Sequence, residues 1–254
     1  MTSSKTNFLA KINELDAELA DHEVHAQAKV VQELVATIAQ AQIPATAPQA
    51  LGFAPAELEQ IMARTAPAKK TQVKVINQLF NSLRQFLAIH YGVWSVPNLT
   101  TARLIKDQLH IKQALEIMAG NALWSKALNL AGIATVATDS LEWAKTSKTG
   151  SRPSVAVIDA SAPAAIERFA AVQLIICSWA PNFDHSDLEA VHAWRKYNPN
   201  AHLLFVGERN GATNSAAFWH SMHFLHSEGL QRINRSFNSF DFINEQIFEL
   251  KHES

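Results

Sequence analysis

The residues that could do chemistry here form a short set: Glu116 and Gly120 in the word Leu115-Glu-Ile-Met-Ala-Gly-Asn-Ala-Leu-Trp124, Asp139 about twenty residues on, and Asp159 after a further apolar run. A small-residue turn lets backbone N–H groups approach a ligand, and an acid at that distance takes ribose hydroxyls. The pattern therefore points to nucleotide-type binding rather than to a protein nucleophile. Only Gly120 stands where a full Gly-x-Gly-x-x-Gly fingerprint has several glycines, so the same turn also suits an ordinary strand-to-helix connection.

Other chemistries lack their residues. His22 and His25 fall about one helical turn apart, as do His220, His223 and His226, but no Cys cluster or His-Glu-x-x-His word completes a metal site. They read as surface or partly buried histidines, and no metal is expected. The run Lys145-Thr-Ser-Lys-Thr-Gly-Ser-Arg-Pro153 lacks the Gly-Lys-Ser/Thr ending of a phosphate loop and reads as a solvated surface loop. There is no Gly-x-Ser-x-Gly elbow and no kinase set. The single Cys177 ends the apolar run Val172-Gln-Leu-Ile-Ile-Cys177 and reads as a small buried hydrophobe. It excludes an intrachain disulfide and suits a reducing compartment.

The elements that must position these residues follow from apolar spacing. Ala114, Leu115, Ile117 and Met118 favour an interior strand, which breaks at Ala119-Gly120-Asn121 into a helix carrying Leu123, Trp124, Ala127, Leu128 and Ala131. Gly132 closes that helix, and Ile133 to Thr138 is a second strand ending in Asp139. Val155 to Asp159 is a third strand, Ala164 to Ala171 a helix, and Leu174 to Cys177 a fourth strand that delivers Ser178-Trp-Ala-Pro181. Asp184 to Tyr197 is helical, capped by Asp184 or Ser186; Leu203 to Val206 is a fifth strand ending in Gly207-Glu-Arg-Asn-Gly211. Ala216 to His226 reads as a helix, and 231–237 and 245–250 as two closing strands.

Upstream, Phe8 to Leu19 and Val24 to Ile38 carry helical spacing, and Pro44 to Phe53 breaks it as a linker. A short helix over 56–64 opened by Pro55 and a longer one over 70–89 follow. Tyr91 to Pro97 suits a loop over a pocket rim, and 100–109 a helix capped by Thr100 or Thr101.

With 254 residues, 48% of them hydrophobic, the chain can bury a substantial core. A formal charge of −1 gives no general pull toward nucleic acid or anionic membrane. No apolar run is long enough to cross a bilayer and no secretory leader is evident, so the expectation is a soluble cytoplasmic protein.

From Tyr91 to about Trp219 the chain resembles the S-adenosylmethionine-dependent methyltransferases, and within them a sparsely characterised microbial group. The words that carry the resemblance are Tyr91-Gly-Val-Trp-Ser-Val-Pro97, Leu115-Glu-Ile-Met-Ala-Gly-Asn-Ala-Leu-Trp124, Val136-Ala-Thr-Asp139, Cys177-Ser-Trp-Ala-Pro181 and Leu204-Phe-Val-Gly-Glu208. The resemblance implies an α/β fold: a doubly wound, mostly parallel, seven-stranded Rossmann-like sheet over 96–254, closed by an antiparallel pair. An all-helical N-terminal region over 1–95 would serve as a lid or for homodimerisation.

The resemblance also implies S-adenosylmethionine as cofactor. Glu116 would organise the turn, Ala119, Gly120 and Asn121 would line the methionine part, Asp139 would hold the ribose, and Asp159 with Ala160 would face the adenine. Ser140 and Ser178 complete the cofactor set. Ser178, Trp179 and Pro181 are the candidates around the transferring methyl group, and Tyr91, Trp94, Trp179, Glu208 and Asn210 those for a small-molecule acceptor. The family's usual first motif is an acid followed by three alternating glycines; here Met118 and Ala122 stand at two of them, and a Cβ at each would narrow the space beside the cofactor. Two rivals share the fold: a catalytically inactive binding or scaffold protein, and a nicotinamide-dependent oxidoreductase, against which the missing glycines count.

Overall fold

The computed structural model describes residues 2–146, 149 and 152–252. The expected surface loop over 145–153 lies partly outside them.

Helices α1 (Thr2–Leu19) and α2 (His22–Ala39) part at Ala20, which takes a left-handed φ of 51°, and at Asp21, whose carboxylate accepts the Glu23 and Val24 N–H groups as the N-cap of α2. The stripe Val24, Ala28, Val31, Leu34, Val35 and Ile38 is buried, as helical spacing requires. After α3 (Pro55–Arg64), the single helix expected over 70–89 is two, α4 (Lys70–Asn81) and α5 (Leu83–Tyr91). Ser82 lies at the break, where its hydroxyl donates to the Leu79 carbonyl and so competes with the helical ladder.

Helix α6 (Leu99–Leu109) is capped by Asn98, not by Thr100 or Thr101. The fully buried Asn98 Oδ1 accepts the Thr101 N–H at 2.9 Å, and its Nδ2 donates to the Ser236 carbonyl at 3.1 Å. The amide carries its acceptor and its donor on separate atoms, so one side chain couples the helix start to the C-terminal part of the chain.

Among the described residues the sheet has six strands, β1 (Gln113–Ile117), β2 (Ala134–Asp139), β3 (Val157–Asp159), β4 (Leu174–Ser178), β5 (His202–Glu208) and β6 (Glu245–Glu249), in the order β3-β2-β1-β4-β5-β6. The first five are parallel and β6 is antiparallel to β5. From β1 the chain winds outward through β2 and β3, then returns to lay β4 on the other side of β1. That makes the carboxyl ends of β1 and β4, where Ile117 pairs with Cys177, the switch point of the sheet.

Side chains alternate between two faces with period two. Ala114, Leu174, Ile176, Leu204 and Val206 join the buried residues of α1, α2, α4, α5, α6 and α7 (Leu123–Leu130) in one cluster. Leu115, Ile117, Ile175, Cys177, Leu203 and Phe205 join those of α9 (Ala162–Arg168), α10 (Ser186–Tyr197) and α11 (Ala216–Ser221) on the other.

The segment 231–237, expected as a strand, forms the end of α12 (Glu228–Ser236) and its C-cap Phe237. Ser227 caps it by accepting the Leu230 N–H, and Leu230 and Ile233, three apart, are buried as a helix buries them. The helix expected over 216–226 stops at Ser221, so Phe224 can form a single antiparallel bridge to Leu250. Farther along β6 the Asn234 amide stands in for a neighbouring strand, donating to the Ile247 carbonyl and accepting its N–H, both at 2.8 Å. One bridge and one side-chain amide occupy the outer edge of β6 where a seventh strand was expected. Among the described residues no helix is long and apolar enough to cross a membrane, and no group of three His, Cys, Asp or Glu is placed to hold a metal.

Candidate functional site at the switch point

The loop leaving β1 is built on a left-handed backbone. Met118, Gly120 and Ala122 have φ of 51°, 51° and 53°. These are the three positions where the resemblance puts glycine, and only one is glycine. A non-glycine residue in this region costs about 1–2 kcal/mol, so the surrounding bonds must hold the shape against two such penalties. They are on hand: Ala119 N–H donates to the Thr138 carbonyl at 3.0 Å, Ala122 N–H to the Ala119 carbonyl at 2.7 Å, and Gly120 N–H to Asp139 Oδ2 at 2.8 Å.

Asp139 Oδ1 accepts the Leu141 N–H at 2.7 Å, so this strand-end acid ties the β1 loop to the end of β2. About half of a carboxylate's acceptor positions are left open by two such bonds.

Of the two added side chains only Met118 reaches the open space beside the turn, as part of its lining. Ala122 is fully buried in the protein, and the Met118 sulfur lies 3.8 Å from Cys177 Sγ. A Cβ placed on Gly120 would meet no atom within 4 Å, so this backbone faces open space.

Glu116 points from β1 toward α7, where its Oε2 accepts the Ser125 N–H at 2.6 Å. Burial pushes its carboxyl up to about 7 and outweighs the opposing hydrogen bonding from Ser125.

One wall is the segment after α5. Gly92 ends that helix at a left-handed φ of 66°, and a Cβ there would sit 2.4 Å from Asn121 Nδ2. The missing side chain lets Asn121 reach across to donate to the Tyr91 carbonyl, while Trp124 Nε1 donates to Ser95 Oγ at 3.1 Å.

The opposite wall is the end of β4. Trp179 has a left-handed φ of 57°; its N–H donates to the Val206 carbonyl and its Nε1 to Glu245 Oε1, both at 2.8 Å. Trp94 stacks on it with ring centroids 5.3 Å apart and planes 26° apart. Behind this pair lies Arg84 of α5, only 4% exposed. Its guanidinium bonds Asp241 through two nitrogens (2.7 and 2.9 Å), Glu245 at 2.9 Å, Ser239 Oγ at 3.1 Å and the Trp94 carbonyl. It also lies over the rings of Trp179 and Phe240, 5.1 and 4.4 Å from their centroids.

Between the walls is a hollow of about 480 Å³, in the range of small-molecule sites. Of the residues expected at the site, it gathers Glu116, Ala119, Gly120 and Asn121 from the β1 loop, and Trp94, Ser178, Trp179 and Pro181 around the rim. The rest stand outside its lining. Tyr91 contributes a carbonyl to Asn121 and packs its ring against Phe86. Exposed Ser140 and Asp159 and half-buried Ala160 lie at the ends of β2 and β3. Glu208 closes its own turn, accepting the Ala212 and Asn244 N–H groups, and exposed Asn210 occupies a left-handed position in that turn.

The sequence reading missed Arg84, Glu245, Trp143 and Phe183, of which the last two line the hollow. Arg84 carried a usable signal: a charge four residues after Phe80, beside the apolar stripe of Leu83, Phe86 and Leu87. A second hollow of about 610 Å³ lies between α12 and β6 and includes none of the expected site residues.

No family model matches the chain, and no curated protein matches it. Among solved structures it is similar to one from Anaeromyxobacter dehalogenans described as a type II methyltransferase, with 20% identity over 41% of this chain and 46% of that one (TM-score 0.31). The chain thus spans under half the length of that protein. It is also similar to an O-methyltransferase from neocarzinostatin biosynthesis in complex with S-adenosylmethionine and 2-hydroxy-5-methyl naphthoic acid (13% identity, 78% of this chain and 67% of that one, TM-score 0.38). A third is human N-acetylserotonin methyltransferase in complex with S-adenosylmethionine (8% identity, 80% and 61%, TM-score 0.39).

Proposed function

We propose that this chain is an S-adenosylmethionine-dependent methyltransferase acting on a small-molecule acceptor in the cleft at the sheet's switch point. The observation that carries the reading is the β1 loop. It keeps a left-handed backbone at Met118, Gly120 and Ala122, and Gly120 opens onto a hollow of about 480 Å³. A loop that bears two backbone penalties of this kind is expected where close approach matters. The residues present fit the cofactor in that neither extra side chain closes the hollow.

When bound, S-adenosylmethionine supplies an electrophilic methyl carbon on a sulfonium sulfur. The chain's own task is to hold, orient and dehydrate the reactants, so no strong protein base is required. In this reading Gly120 and Asn121 border the methionine part, and the free acceptor positions of Asp139 take ribose hydroxyls. Asp159 and Ala160 lie toward the adenine. Glu116, the one carboxyl among the described lining residues, places negative charge near the cation when ionised. Trp94, Trp179 and Pro181 keep water from the transfer region.

Thermal shift with S-adenosylhomocysteine and with NAD tests the reading against its rivals. At a hundred times its dissociation constant a ligand adds about 2.7 kcal/mol, roughly 5–10 °C for a chain of this size. A shift with S-adenosylhomocysteine alone supports the proposal. A shift with NAD alone assigns an oxidoreductase, and a shift with neither leaves a binding or scaffold protein on a methyltransferase-like fold.

A further inference from the structure

We propose that the methyl acceptor is a planar ring without negative charge, stacked on the aromatic side chains at the mouth of the cleft; this rests on the methyltransferase reading above and gives its acceptor a chemical class. Six large apolar side chains are exposed among the described residues, and three of them meet at this one mouth: Trp94 (45% exposed), Trp143 (40%) and Phe183 (85%). They come from three separate places in the chain: the segment after α5, the short helix α8 (Glu142–Thr146), and the loop after β4. Single exposed apolar residues need no explanation, but a group converging on one concavity marks a ligand surface.

One side of the surface, Trp94, is held in place before any ligand arrives. Trp94 stacks on Trp179 at 5.3 Å, Trp179 is fixed through Nε1 to Glu245, and Arg84 bonds both Glu245 and the Trp94 carbonyl. Rings fixed in advance lose little freedom when a flat molecule settles on them, which favours stacking over a looser apolar contact.

Charge narrows the class further. No lysine or arginine stands among the described lining residues, and Glu116 is their one ionisable acid. A carboxylate or phosphate on the acceptor would find no lysine or arginine in that lining to pair with, and would meet like charge wherever Glu116 is ionised. Ser178 and Asn182 supply neutral hydrogen-bonding groups to orient a ring hydroxyl or ring nitrogen. In the transfer, the acceptor heteroatom forms a bond to the methyl carbon as the carbon–sulfur bond breaks. The electron pair of that bond goes to sulfur, and the acceptor's proton leaves to water.

The test uses the whole chain saturated with S-adenosylhomocysteine, titrated by calorimetry with 2-naphthol, with non-planar decahydro-2-naphthol, and with the anion 2-naphthoate. The expected result is that 2-naphthol binds at least about tenfold more tightly than either control, the scale of one aromatic stack. Trp94→Ala should weaken 2-naphthol about tenfold, while Trp94→Phe, which keeps a ring, should weaken it less than about threefold. Equal binding of the planar and non-planar alcohols, or an unchanged affinity in Trp94→Ala, overturns the proposal. So does displacement of 2-naphthol by S-adenosylhomocysteine, which would give the aromatic surface to the adenine. If S-adenosylhomocysteine does not bind, the methyltransferase reading fails and the acceptor role with it; if it binds and the planar probe has no advantage, only the acceptor assignment fails.

Discussion

Replacing Arg84 by methionine should be among the most damaging single changes this chain can take, and the reason is charge rather than volume. The guanidinium is 4% exposed and pairs with Asp241 and Glu245, whose side chains are 1% and 2% exposed. Methionine fills much of the same space but leaves two carboxylates in the interior without a counter-charge. Breaking a buried pair in this way costs about 3–5 kcal/mol. At roughly 2–4 °C per kcal/mol for a chain of this size, the melting temperature should fall by about 6–20 °C. Arg84→Lys keeps the charge but not the planar fork that reaches Asp241 through two nitrogens, so it should fall between wild type and Arg84→Met. The triple variant Arg84→Met, Asp241→Asn, Glu245→Gln removes the stranded charges and should recover a good part of the loss. Urea and thermal denaturation of the four proteins measure this. A loss within about 1 kcal/mol for Arg84→Met, or a triple variant no more stable than the single one, would refute the reasoning.

Two further changes probe other parts of the structure. The Glu116 carboxyl is raised from 4.5 to about 7 in the folded protein, so the folded state holds its proton more tightly than the unfolded chain does. That contribution is present in full below pH about 4.5 and is lost as pH rises through about 7, with a span on the order of 3 kcal/mol. The stability difference between wild type and Glu116→Gln, followed by urea denaturation from pH 5 to 8, should therefore move against wild type as pH rises; a flat difference would count against the burial argument. Asn98→Ala removes the cap of α6 and the bond to the Ser236 carbonyl from a fully buried position, and should cost about 1–3 kcal/mol in chemical denaturation. A cost near zero would show that Thr100 or Thr101 can take over the cap.

The central strands and their order of appearance were legible because each is a short apolar run between turn residues, and because the acids and small residues at their ends are local features. The C-terminal part was harder. Ile233 and Phe237 suit a strand by composition, and what decides for a helix is the Ser227 cap together with a three-residue repeat that only Leu230 and Ile233 display. Strand-end acids leave a different gap. Glu208 beside Gly207 looks like a rim residue, yet its carboxylate closes its own turn, and Asp139 divides its bonds between two backbone N–H groups. A sequence shows that an acid stands at a strand end, not where its oxygens go. The Arg84 network was out of reach for a simpler reason, since its partners Asp241 and Glu245 lie 157 and 161 residues away and no periodic pattern links them. Only the folded chain brings Asp241 and Glu245, before and at the start of β6, to Arg84 on α5.

The central claim is that the β1 loop cradles an adenosyl cofactor, and Gly120 offers the most direct test because its missing side chain faces no protein atom within 4 Å. Alanine there carries the left-handed backbone penalty of about 1–2 kcal/mol, roughly 2–8 °C in melting temperature, but collides with nothing in the protein. Calorimetry with S-adenosylhomocysteine on wild type and Gly120→Ala should show binding by the first and a loss of at least about tenfold in the second, more than the mild destabilisation explains. Equal affinities in the two proteins, or no binding by wild type, would contradict the account.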